Sequence, residues 1–443
     1  MTEDSHRMTA EAAAAAIAAG DLTSEALVGA CLTRIAERDP VVRAWVHLDP
    51  EPALEQARAA DAAVAAGDEQ GPLHGVPVGI KDIIDTAELA TENGSDLNTG
   101  RRPAHDATVV ALLKQAGAVI LGKTVTTEFA ISGARATTNP HDPTRTPGGS
   151  SSGSGAAVAD FMVPLALGSQ TGGSVIRPAS YCGVHGFKPT YGCISRARVF
   201  VLARRLDHIG VYGRCLADLA RIGDVLMVHD DADLDMRFHP GCELVDTLAE
   251  PPLTEAPRLA FVKGPAWAFA EDHMPAILQA YVDGLGDAVR EVELAGVFDQ
   301  VLDCHETIMN ANLWANIGDD VEAHGDQLLA ETVRRVEMGR GIAAEEYIRA
   351  LELADSISAA VDHLFGHYDA LITAAAPGEA PVGLESTGNA AFQKLWTLVG
   401  VPTVTLPLLQ GPNGLPIGVQ VIGRKGKDAV LFQVARWLED QYR

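Results

Sequence analysis

The chain has 443 residues, of which 47% are apolar and only 5% aromatic, so it has enough apolar material for a sizeable buried core. Its net charge of −25 argues against nucleic acid or an anionic membrane surface as a partner, because both are themselves negatively charged. The sequence contains no run of about 18 apolar residues, so no membrane-spanning helix is predicted.

The N-terminus and the cysteines bear on the compartment in which the protein works. The first residues include Glu3 and Asp4 and lack the basic, apolar and small-residue order of a secretory signal. The six cysteines are scattered and form no CxxC pair, which favours free buried thiols over a disulfide framework. The sequence therefore predicts a cytoplasmic protein.

Two N-terminal helices are predicted from their capping residues. Thr9 is placed to cap a helix that runs to Gly20. Thr23 or Ser24 is placed to cap a second helix, which is expected to end before Pro40 because proline disfavours a helix interior.

Farther along the chain, short apolar runs alternate with helical stretches. Further helices are predicted over residues 53–66 and 108–115. The predicted strands are three apolar runs, Val76–Ile80, Ala118–Leu121 and Val163–Leu167. Such alternation indicates an α/β fold in which a mainly parallel or mixed sheet is covered by helices on both faces.

The chain is interpreted as a single domain, 1–443, with an elaborated middle. Residues 1–70 form the N-terminal helices and residues 71–224 form the core that carries the glycine motifs. Residues 225–370 are helix-rich and acidic, and are expected to form a variable helical insertion that faces substrate. Residues 371–443 return to the sheet, since strand-like character reappears at 401–422.

A glycine-serine segment, residues 148–155, is too rich in glycine for a strand or helix interior. It leads into a helix predicted to begin near Gly155, so its backbone N–H groups would point at a helix N-terminus. Neither the GK[ST] of a phosphate-binding loop nor the third glycine of a dinucleotide fingerprint follows. Two alternatives stay open: a GxSxG nucleophile motif centred on Ser151, and a flexible linker.

A second glycine motif, Thr171-Gly172-Gly173-Ser174, follows the apolar run that ends at Leu167. Successive glycines allow backbone N–H groups to converge on one point, which is how an oxyanion hole is built. Ser174 places a hydroxyl beside those donors. The motif therefore favours attack on a carbonyl whose oxygen becomes negatively charged.

Together these segments resemble the amidase signature family, and in particular its stand-alone bacterial amidases, aryl acylamidases and carbamate hydrolases. The resemblance covers nearly the whole chain and is carried by blocks in the family's order, at residues 71–82, 116–124, 139–143, 148–155, 171–174, 400–402 and 414–420. It implies a mixed, twisted central β-sheet covered by helices on both faces, with no metal and no organic cofactor.

The resemblance also implies a Ser–cis-Ser–Lys triad. By motif position the base is Lys81, the relay within a cis peptide is Ser150, and the nucleophile is Ser174. The oxyanion donors fall on the backbone of Thr171, Gly172, Gly173 and Ser174. Lys81 works as a base only when neutral, so it must be buried, and the neighbouring Asp82 is expected to point elsewhere.

The chain departs from the commonest family pattern near the nucleophile. Gln170 stands where an aspartate is usual, Arg177 lies three residues after Ser174 rather than two, and residues 203–207 replace a serine-leucine-aspartate approach. The predicted function is hydrolysis of C–N bonds in small amides, anilides or carbamates. The alternative, a glutaminase subunit of an amidotransferase, is weakened by these departures and by the charge of −25.

The substrate is predicted to be a small molecule, and the sequence leaves monomer and homodimer both open. The variable stretches 196–206 and 300–316 are largely apolar, which favours an apolar pocket for anilides and aryl carbamates. The candidate substrate-binding residues are Gly149, Phe200, Arg204, Trp314 and Trp396. The opposing possibility is that Arg204 or Arg205 binds a substrate carboxylate.

Two metal-like patterns in the middle region fail their motifs. His305-Glu306 begins like a zinc-protease helix, but Met309 stands where the second histidine is required. Residues 231–235 begin like a calcium loop, but Met236 and Cys242 occupy the glycine and glutamate positions. His305, Asn310 and Asn312 are instead named as residues that could face substrate.

Overall fold

One mixed sheet of eleven strands runs through the part of the chain that the computed structural model describes, residues 4–131, 133, 136–236 and 243–442. The strands are β1 (Trp45–Leu48), β2 (Pro77–Lys81), β3 (Val119–Thr124), β4 (Leu165–Gln170), β5 (His185–Lys188), β6 (His208–Gly213), β7 (Leu259–Lys263), β8 (Val289–Glu293), β9 (Ala370–Ala374), β10 (Thr403–Gln410) and β11 (Pro416–Ile422). Their order across the sheet is β1-β3-β2-β4-β6-β5-β10-β11-β9-β7-β8. Strand β2 pairs in parallel with β3 and β4, and β7 with β8 and β9, whereas the other neighbours are antiparallel.

Helices cover both faces of this sheet. They are α1 (Ala10–Ala19), α2 (Ser24–Val42), α3 (Pro50–Ala66), α4 (Thr108–Gln115), α5 (Ser152–Ala159), α6 (Ile176–Cys182), α7 (Leu216–Leu226), α8 (Leu244–Ala249), α9 (Met274–Gly284), α10 (Val301–His324), α11 (Ala330–Glu337), α12 (Ala344–Leu364), α13 (Ala391–Leu398) and α14 (Asp428–Tyr442). Because side chains alternate along a strand, Leu165 and Leu167 belong to one buried cluster and Ala166 to another on the opposite face. The predicted α/β class, with a mixed sheet between helical layers, is confirmed.

The N-terminal helices begin at the predicted caps. The side chain of Thr9 accepts a hydrogen bond from the N–H of Ala12, and that of Thr23 accepts one from Ala26. The prediction that the second helix ends before Pro40 is wrong, since α2 continues to Val42 with Pro40 inside it. A proline this close to a helix end removes only one backbone bond, and the complete burial of Val42 stabilises the added residues.

The polar ends of the central strands were missed by the sequence patterns. The runs ending at Ile80, Leu121 and Leu167 are strands, but each extends one to three residues farther, to Lys81, Thr124 and Gln170. The apolar pattern ends at the first polar side chain, whereas the backbone hydrogen bonds between neighbouring strands continue past it. These extra residues are buried. The helix after the glycine-serine segment likewise begins at Ser152, three residues before the predicted start.

The middle region is helical over much of its length but also belongs to the sheet. Residues 225–370 supply β7 and β8, which extend the sheet beyond β9 at one edge. The strand character predicted at 401–422 is confirmed as β10 and β11. These two strands lie inside the sheet, between β5 and β9, and do not end it.

No disulfide bond joins any two of the five described cysteines, and four of them, Cys31, Cys182, Cys193 and Cys304, are buried. Glu3 and Cys242, which entered the sequence interpretation, lie outside the described residues. None of the helices in the described ranges combines the length and apolar character needed to cross a membrane.

Candidate active site

Lys81, the predicted base, lies where two neighbouring parallel strands end. In the register of β2 and β4, Val78 lies opposite Leu165 and Ile80 opposite Leu167. The carboxyl ends of parallel strands meet at one edge of a sheet, the usual place for a site in an α/β fold. Lys81, the last residue of β2, therefore lies beside the end of β4 and the turn that follows it.

Lys81 is completely buried and contacts two serine hydroxyls. Its Nζ lies 2.7 Å from Ser150 Oγ and 2.8 Å from Ser169 Oγ. Burial holds the pKa of Lys81 well below its ordinary range, because desolvation penalises the ammonium form, and the charge of Asp207 opposes this shift only in part. Burial therefore favours the neutral amine, which is the form that can act as a base.

Asp82 points away from Lys81, as expected from the sequence. Its carboxylate lies 3.6 Å from Lys123 Nζ and accepts hydrogen bonds from the backbone N–H groups of Glu92 and Gly94. The neighbouring carboxylate is therefore engaged elsewhere and does not hold a proton on Lys81.

The glycine-serine segment is rigidly packed. All residues from 148 to 155 are buried, which excludes a flexible linker. The peptide between Gly149 and Ser150 is cis, as the resemblance implies. Ser151, the centre of the GxSxG alternative, is fully buried, and its hydroxyl bonds with both the N–H and the C=O of Ser169. This hydroxyl anchors the segment to β4 and is not presented to a substrate.

The turn from Thr171 to Ser174 is held through all four of its carbonyl groups. Their partners are His305 Nε2 at 2.9 Å on Thr171, Thr397 Oγ1 at 2.8 Å on Gly172, the N–H of Arg177 at 3.0 Å on Gly173, and the hydroxyl of Tyr212 at 3.0 Å on Ser174. A carbonyl fixes the plane of its peptide, so these contacts also fix the direction of the N–H groups that follow. This arrangement is suited to stabilise an oxyanion.

Gln170 explains how the turn is held without the family's usual aspartate. Its Oε1 accepts hydrogen bonds from the backbone N–H groups of Val175 and Ile176, at 2.9 and 3.1 Å. Its Nε2 donates to Thr397 Oγ1 at 3.0 Å. A neutral amide therefore caps the start of α6 and at the same time ties the turn to α13.

Two titratable groups contact Thr171. Asp207 accepts a hydrogen bond from the Thr171 hydroxyl at 2.7 Å, and burial raises the pKa of this carboxyl to about 6, although the Thr171 bond opposes the shift. Burial lowers the pKa of His305 to about 4. His305 is therefore neutral at neutral pH, with the proton on Nε2, which donates to the Thr171 carbonyl.

A cavity of about 540 Å³ opens beside Ser174, and its lining is polar. It is lined by the turn 171–174 and by seven charged side chains, Arg177, Glu306, Glu331, Arg334, Arg335, Glu385 and Lys394. Glu306 bonds both Lys394 and Arg335. Burial works to raise the pKa of Glu306, but the two cations outweigh it and hold this pKa at about 2.

The apolar pocket expected from the sequence is not found at this cavity. Phe200 stacks on Phe129 with ring centroids 5.4 Å apart, and Trp396 is buried in the core. Trp314 lies under the guanidinium of Arg340. None of these aromatic residues is among those that line the cavity. Trp396 is buried, whereas Phe200 and Trp314 are only partly buried, so hydrophobicity alone does not tell a core position from a pocket position.

The predicted arginine contacts also lie elsewhere, whereas Gly149 adjoins two residues of the cavity lining. Arg204 is largely exposed and paired with Asp235, and Arg205 is paired with Asp355. Gly149 is buried against Thr387, and its carbonyl accepts a hydrogen bond from Arg177. Of the three middle-region candidates only His305 lines the cavity, whereas Asn310 and Asn312 do not.

Several residues at the site were missed by sequence reasoning. Ser169 follows the run that predicted β4, so a serine pointing at Lys81 could have been inferred from strand periodicity once the strand was extended. Thr397 and Lys394 come from α13, more than 200 residues away along the chain. No local signal marks such distant contacts.

The acidic cluster that resembles a calcium loop is used in ion pairs. Asp233 pairs with Arg196, and Asp235 pairs with both Arg196 and Arg204. No group of three or more histidine, cysteine, aspartate or glutamate side chains arranged to hold a metal ion occurs within the described residues.

Comparison with known proteins gives consistent matches along the chain. A family profile described as Amidase matches residues 26–432. A glutamyl-tRNA(Gln) amidotransferase subunit from Chloroflexus aggregans is 36% identical, over 97% of this chain and 95% of that protein. The equivalent protein of Streptomyces avermitilis, which has the same name, is 32% identical, over 98% and 95%.

Solved structures match equally completely. The peptide amidase of Stenotrophomonas maltophilia is 30% identical with a TM-score of 0.87, covering 98% of this chain and 97% of that chain. A chain from a vestigial protein complex related to the origins of an s-triazine catabolic enzyme is 28% identical with a TM-score of 0.92, covering 98% of both chains.

Proposed function

The chain belongs to the amidase signature family of C–N bond hydrolases, and from this premise we propose that it cleaves small amides through an acyl-enzyme on Ser174. The observation that carries the proposal is the contact of 2.7 Å between the buried amine of Lys81 and the hydroxyl of Ser150. A neutral amine bonded to a hydroxyl beside a glycine turn is the arrangement that activates a serine nucleophile.

In the proposed first half-reaction, Ser174 Oγ attacks the carbonyl carbon of the substrate. The proton of Ser174 passes to Ser150 Oγ, whose own proton passes to Lys81 Nζ. The carbonyl oxygen becomes an oxyanion, which the N–H groups of the turn stabilise, and one such donor contributes about 10²- to 10³-fold to kcat. Ser169, the second hydroxyl on Lys81 Nζ, orients the amine toward Ser150.

Collapse of the tetrahedral intermediate breaks the C–N bond. The departing nitrogen takes a proton from Ser150, which is restored from the ammonium of Lys81. Ser174 is left esterified to the acyl group. Water then attacks this ester, and its proton passes to Ser150 and on to Lys81. A proton then returns through Ser150 to Ser174 Oγ, and the carboxylic acid and free Ser174 are released.

The polar cavity bears on the substrate. Anilides and aryl carbamates present the same carbonyl to the same nucleophile, and they were favoured by the apolar residues near 200 and 314. Because those residues do not line the cavity beside Ser174, that support is lost. Charged and hydrogen-bonding walls favour a small amide that carries polar or charged groups, whose lost hydration the walls replace.

A second candidate, an amidotransferase component that releases ammonia from glutamine, is favoured by one observation. The curated relatives described above are named as amidotransferase subunits and align along almost their entire length. Glutamine is zwitterionic, and the cavity lining carries both signs of charge. Gln170 in place of the usual aspartate separates this chain from the common pattern of the family.

The proposal is tested by labelling and turnover. Ser174→Ala is expected to abolish labelling by a fluorophosphonate and to lower kcat by several orders of magnitude, because it removes the nucleophile. Ser151→Ala is the matched control, since its hydroxyl is bonded to the backbone of β4. Loss of labelling in S151A with labelling intact in S174A would overturn the assignment.

The substrate class is tested with a panel at one pH: glutamine, a neutral anilide, an aryl carbamate and a carboxylate-bearing amide. The proposal predicts a higher kcat/KM for the carboxylate-bearing amide than for glutamine, the anilide or the carbamate. A clear preference for glutamine would favour the amidotransferase candidate, and a preference for the anilide or the carbamate would restore the apolar-pocket hypothesis.

A further inference from the structure

Glu128 is a buried carboxylate that joins the catalytic core to the helical middle region. Only 1% of its surface is exposed. One carboxylate oxygen, Oε1, accepts a hydrogen bond from the Ser95 hydroxyl at 3.0 Å. The other, Oε2, accepts one at 2.9 Å from the backbone N–H of Leu329, the residue that precedes α11. Hydrogen bonds accepted by a carboxylate are stronger than those between neutral groups, so Glu128 is suited to hold two distant segments together.

The turn that follows Glu128 forms part of the wall of the polar cavity. Phe129 and Ala130 have φ angles of 48° and 56°, in the left-handed region that residues with a side chain rarely adopt. The N–H of Phe129 donates to the carbonyl of Asn93 at 2.7 Å. Ala130 and Ile131 line the cavity. A strained backbone persists only where the surrounding contacts hold it, so the position of this wall depends on its neighbours.

The same part of the chain contacts both the relay serine and the start of α11. The N–H of Thr127 donates to the carbonyl of Ser150 at 3.2 Å. Gly133 packs so closely on Leu329 that an added Cβ would lie 2.7 Å from Leu329 Cδ1. Because Oε2 of Glu128 also bonds the N–H of Leu329, the start of α11 is tied to the core at two points.

Helix α11 carries three of the charged side chains that line the cavity, Glu331, Arg334 and Arg335. Glu128 is not among the lining residues, so it acts on a bound substrate only through the segments that it holds. A binding group displaced by about 1 Å can cost as much as about 100-fold in rate. The bond between Glu128 and Leu329 is therefore placed to control how well the charges of α11 meet a substrate.

We propose that Glu128 is a positioning residue, whose carboxylate holds the start of α11 so that the charged side chains of this helix stand correctly for a substrate at Ser174. This inference rests on the proposed function of Ser174. Amides large enough to reach α11 depend on the link. Acetamide, which has only a methyl group beyond its carbonyl, does not.

Two other roles for Glu128 are separable by kinetics. If it acted on Ser150 through Thr127, its loss would lower kcat for every amide. If it only stabilised the fold, its loss would lower the Tm and the amount of active enzyme, with KM unchanged. A positioning role instead raises KM for the larger substrate and changes kcat little.

The experiment measures kcat and KM on two amides, acetamide and the best substrate of the panel. Glu128→Ala is expected to raise KM for the panel substrate by about 10-fold, the effect of losing one charge-assisted hydrogen bond, with little change in kcat. Both constants for acetamide should stay close to those of the wild type. Glu128→Gln is expected to restore KM, because its carbonyl oxygen can accept from Leu329 while its amide N–H donates to Ser95 Oγ.

A matched pair of variants at Leu329 tests the same hydrogen bond from the other side. Leu329 has a φ of −62°, which proline also adopts, so Leu329→Pro removes the N–H donor and keeps this backbone angle. Leu329→Ala is the control, since it shortens the side chain and keeps the N–H. L329P is expected to raise KM as E128A does. The double variant should be no worse than either single one, because both changes remove the same hydrogen bond.

The possible outcomes separate this inference from the proposed function. Wild-type kinetics in E128A overturn the inference and leave the proposed function standing. An L329P enzyme with the KM of L329A does the same, and this comparison decides the matter if E128A is poorly folded. A fall in kcat on both amides with KM unchanged also overturns it, since Glu128 would then act on Ser150 or on the fold. An enzyme with no amide turnover and no labelled Ser174 contradicts the proposed function instead.

Discussion

The substitution Gln170→Ala tests whether the oxyanion turn depends on its anchor. The change removes three buried hydrogen bonds, two from the N–H groups of Val175 and Ile176 and one to Thr397. At about 1 kcal/mol each they give about 3 kcal/mol of stability, and the orphaned N–H groups make this a lower bound. An unfolding entropy of about 2.1 cal/mol/K per residue amounts to about 0.9 kcal/mol/K for 443 residues. The Tm should therefore fall by about 3 °C.

The same change should lower kcat, because α6 and the turn before it lose their common anchor. We expect a fall of about 10- to 100-fold with a smaller change in KM, since small displacements of oxyanion donors act on the transition state. Gln170→Glu is the comparison variant: it keeps an accepting oxygen, loses the donor to Thr397 for about 1 kcal/mol, and adds a carboxylate at a fully buried position. The assays are calorimetric Tm and steady-state kinetics on one amide. A Q170A enzyme with wild-type Tm and kcat would refute the anchoring argument.

Two further predictions concern the base and the turn. Lys81 is active as the neutral amine, so kcat/KM should rise with pH. Because burial lowers the pKa of Lys81, the rise should level off well below the pKa of an ordinary lysine, about 10.4. A rate that still rises at that pH, or an active Lys81→Ala enzyme, would contradict the role of Lys81 as base. Gly173→Ala should destabilise the protein by about 1–3 kcal/mol, because the added Cβ would lie 2.4 Å from Gln393 Oε1. Gly172→Ala is the control, since its Cβ meets nothing closer than 3.8 Å, and equal Tm values for the two variants would contradict the packing argument.

Local patterns were enough to predict the parts of the fold that depend on local physics. Thr9 and Thr23 are helix caps because their side chains satisfy nearby N–H groups, which the sequence displays directly. The alternation of apolar runs and helical stretches is also displayed directly in the sequence, and it predicted the layered sheet. The interior position of β10 and β11 could not be inferred, because strand order depends on pairing between residues far apart in the chain.

The candidate site was likewise predictable only in part. Lys81, Ser150 and the turn 171–174 lie in motifs whose order matches a known family, and the structure brings Lys81 and Ser150 into contact. Their catalytic roles stay predictions. The lining of the cavity differs from the predicted apolar set, because its walls include residues of α10, α11 and α13, whose inward face cannot be read from composition. Trp396 illustrates the error, since its apolar ring packs into the core.

The interior position of β10 has a consequence for how the chain is made. Lys188 of β5 pairs with Thr403 of β10, which is synthesised 403 − 188 = 215 residues later. At about 5–20 residues per second, a ribosome needs about 10–40 s to supply that partner. During this interval the outer edge of β5 has no native partner, and an unpaired edge can recruit a strand from another chain. A nascent chain stalled before residue 403 is therefore a natural client for a chaperone that shields sheet edges.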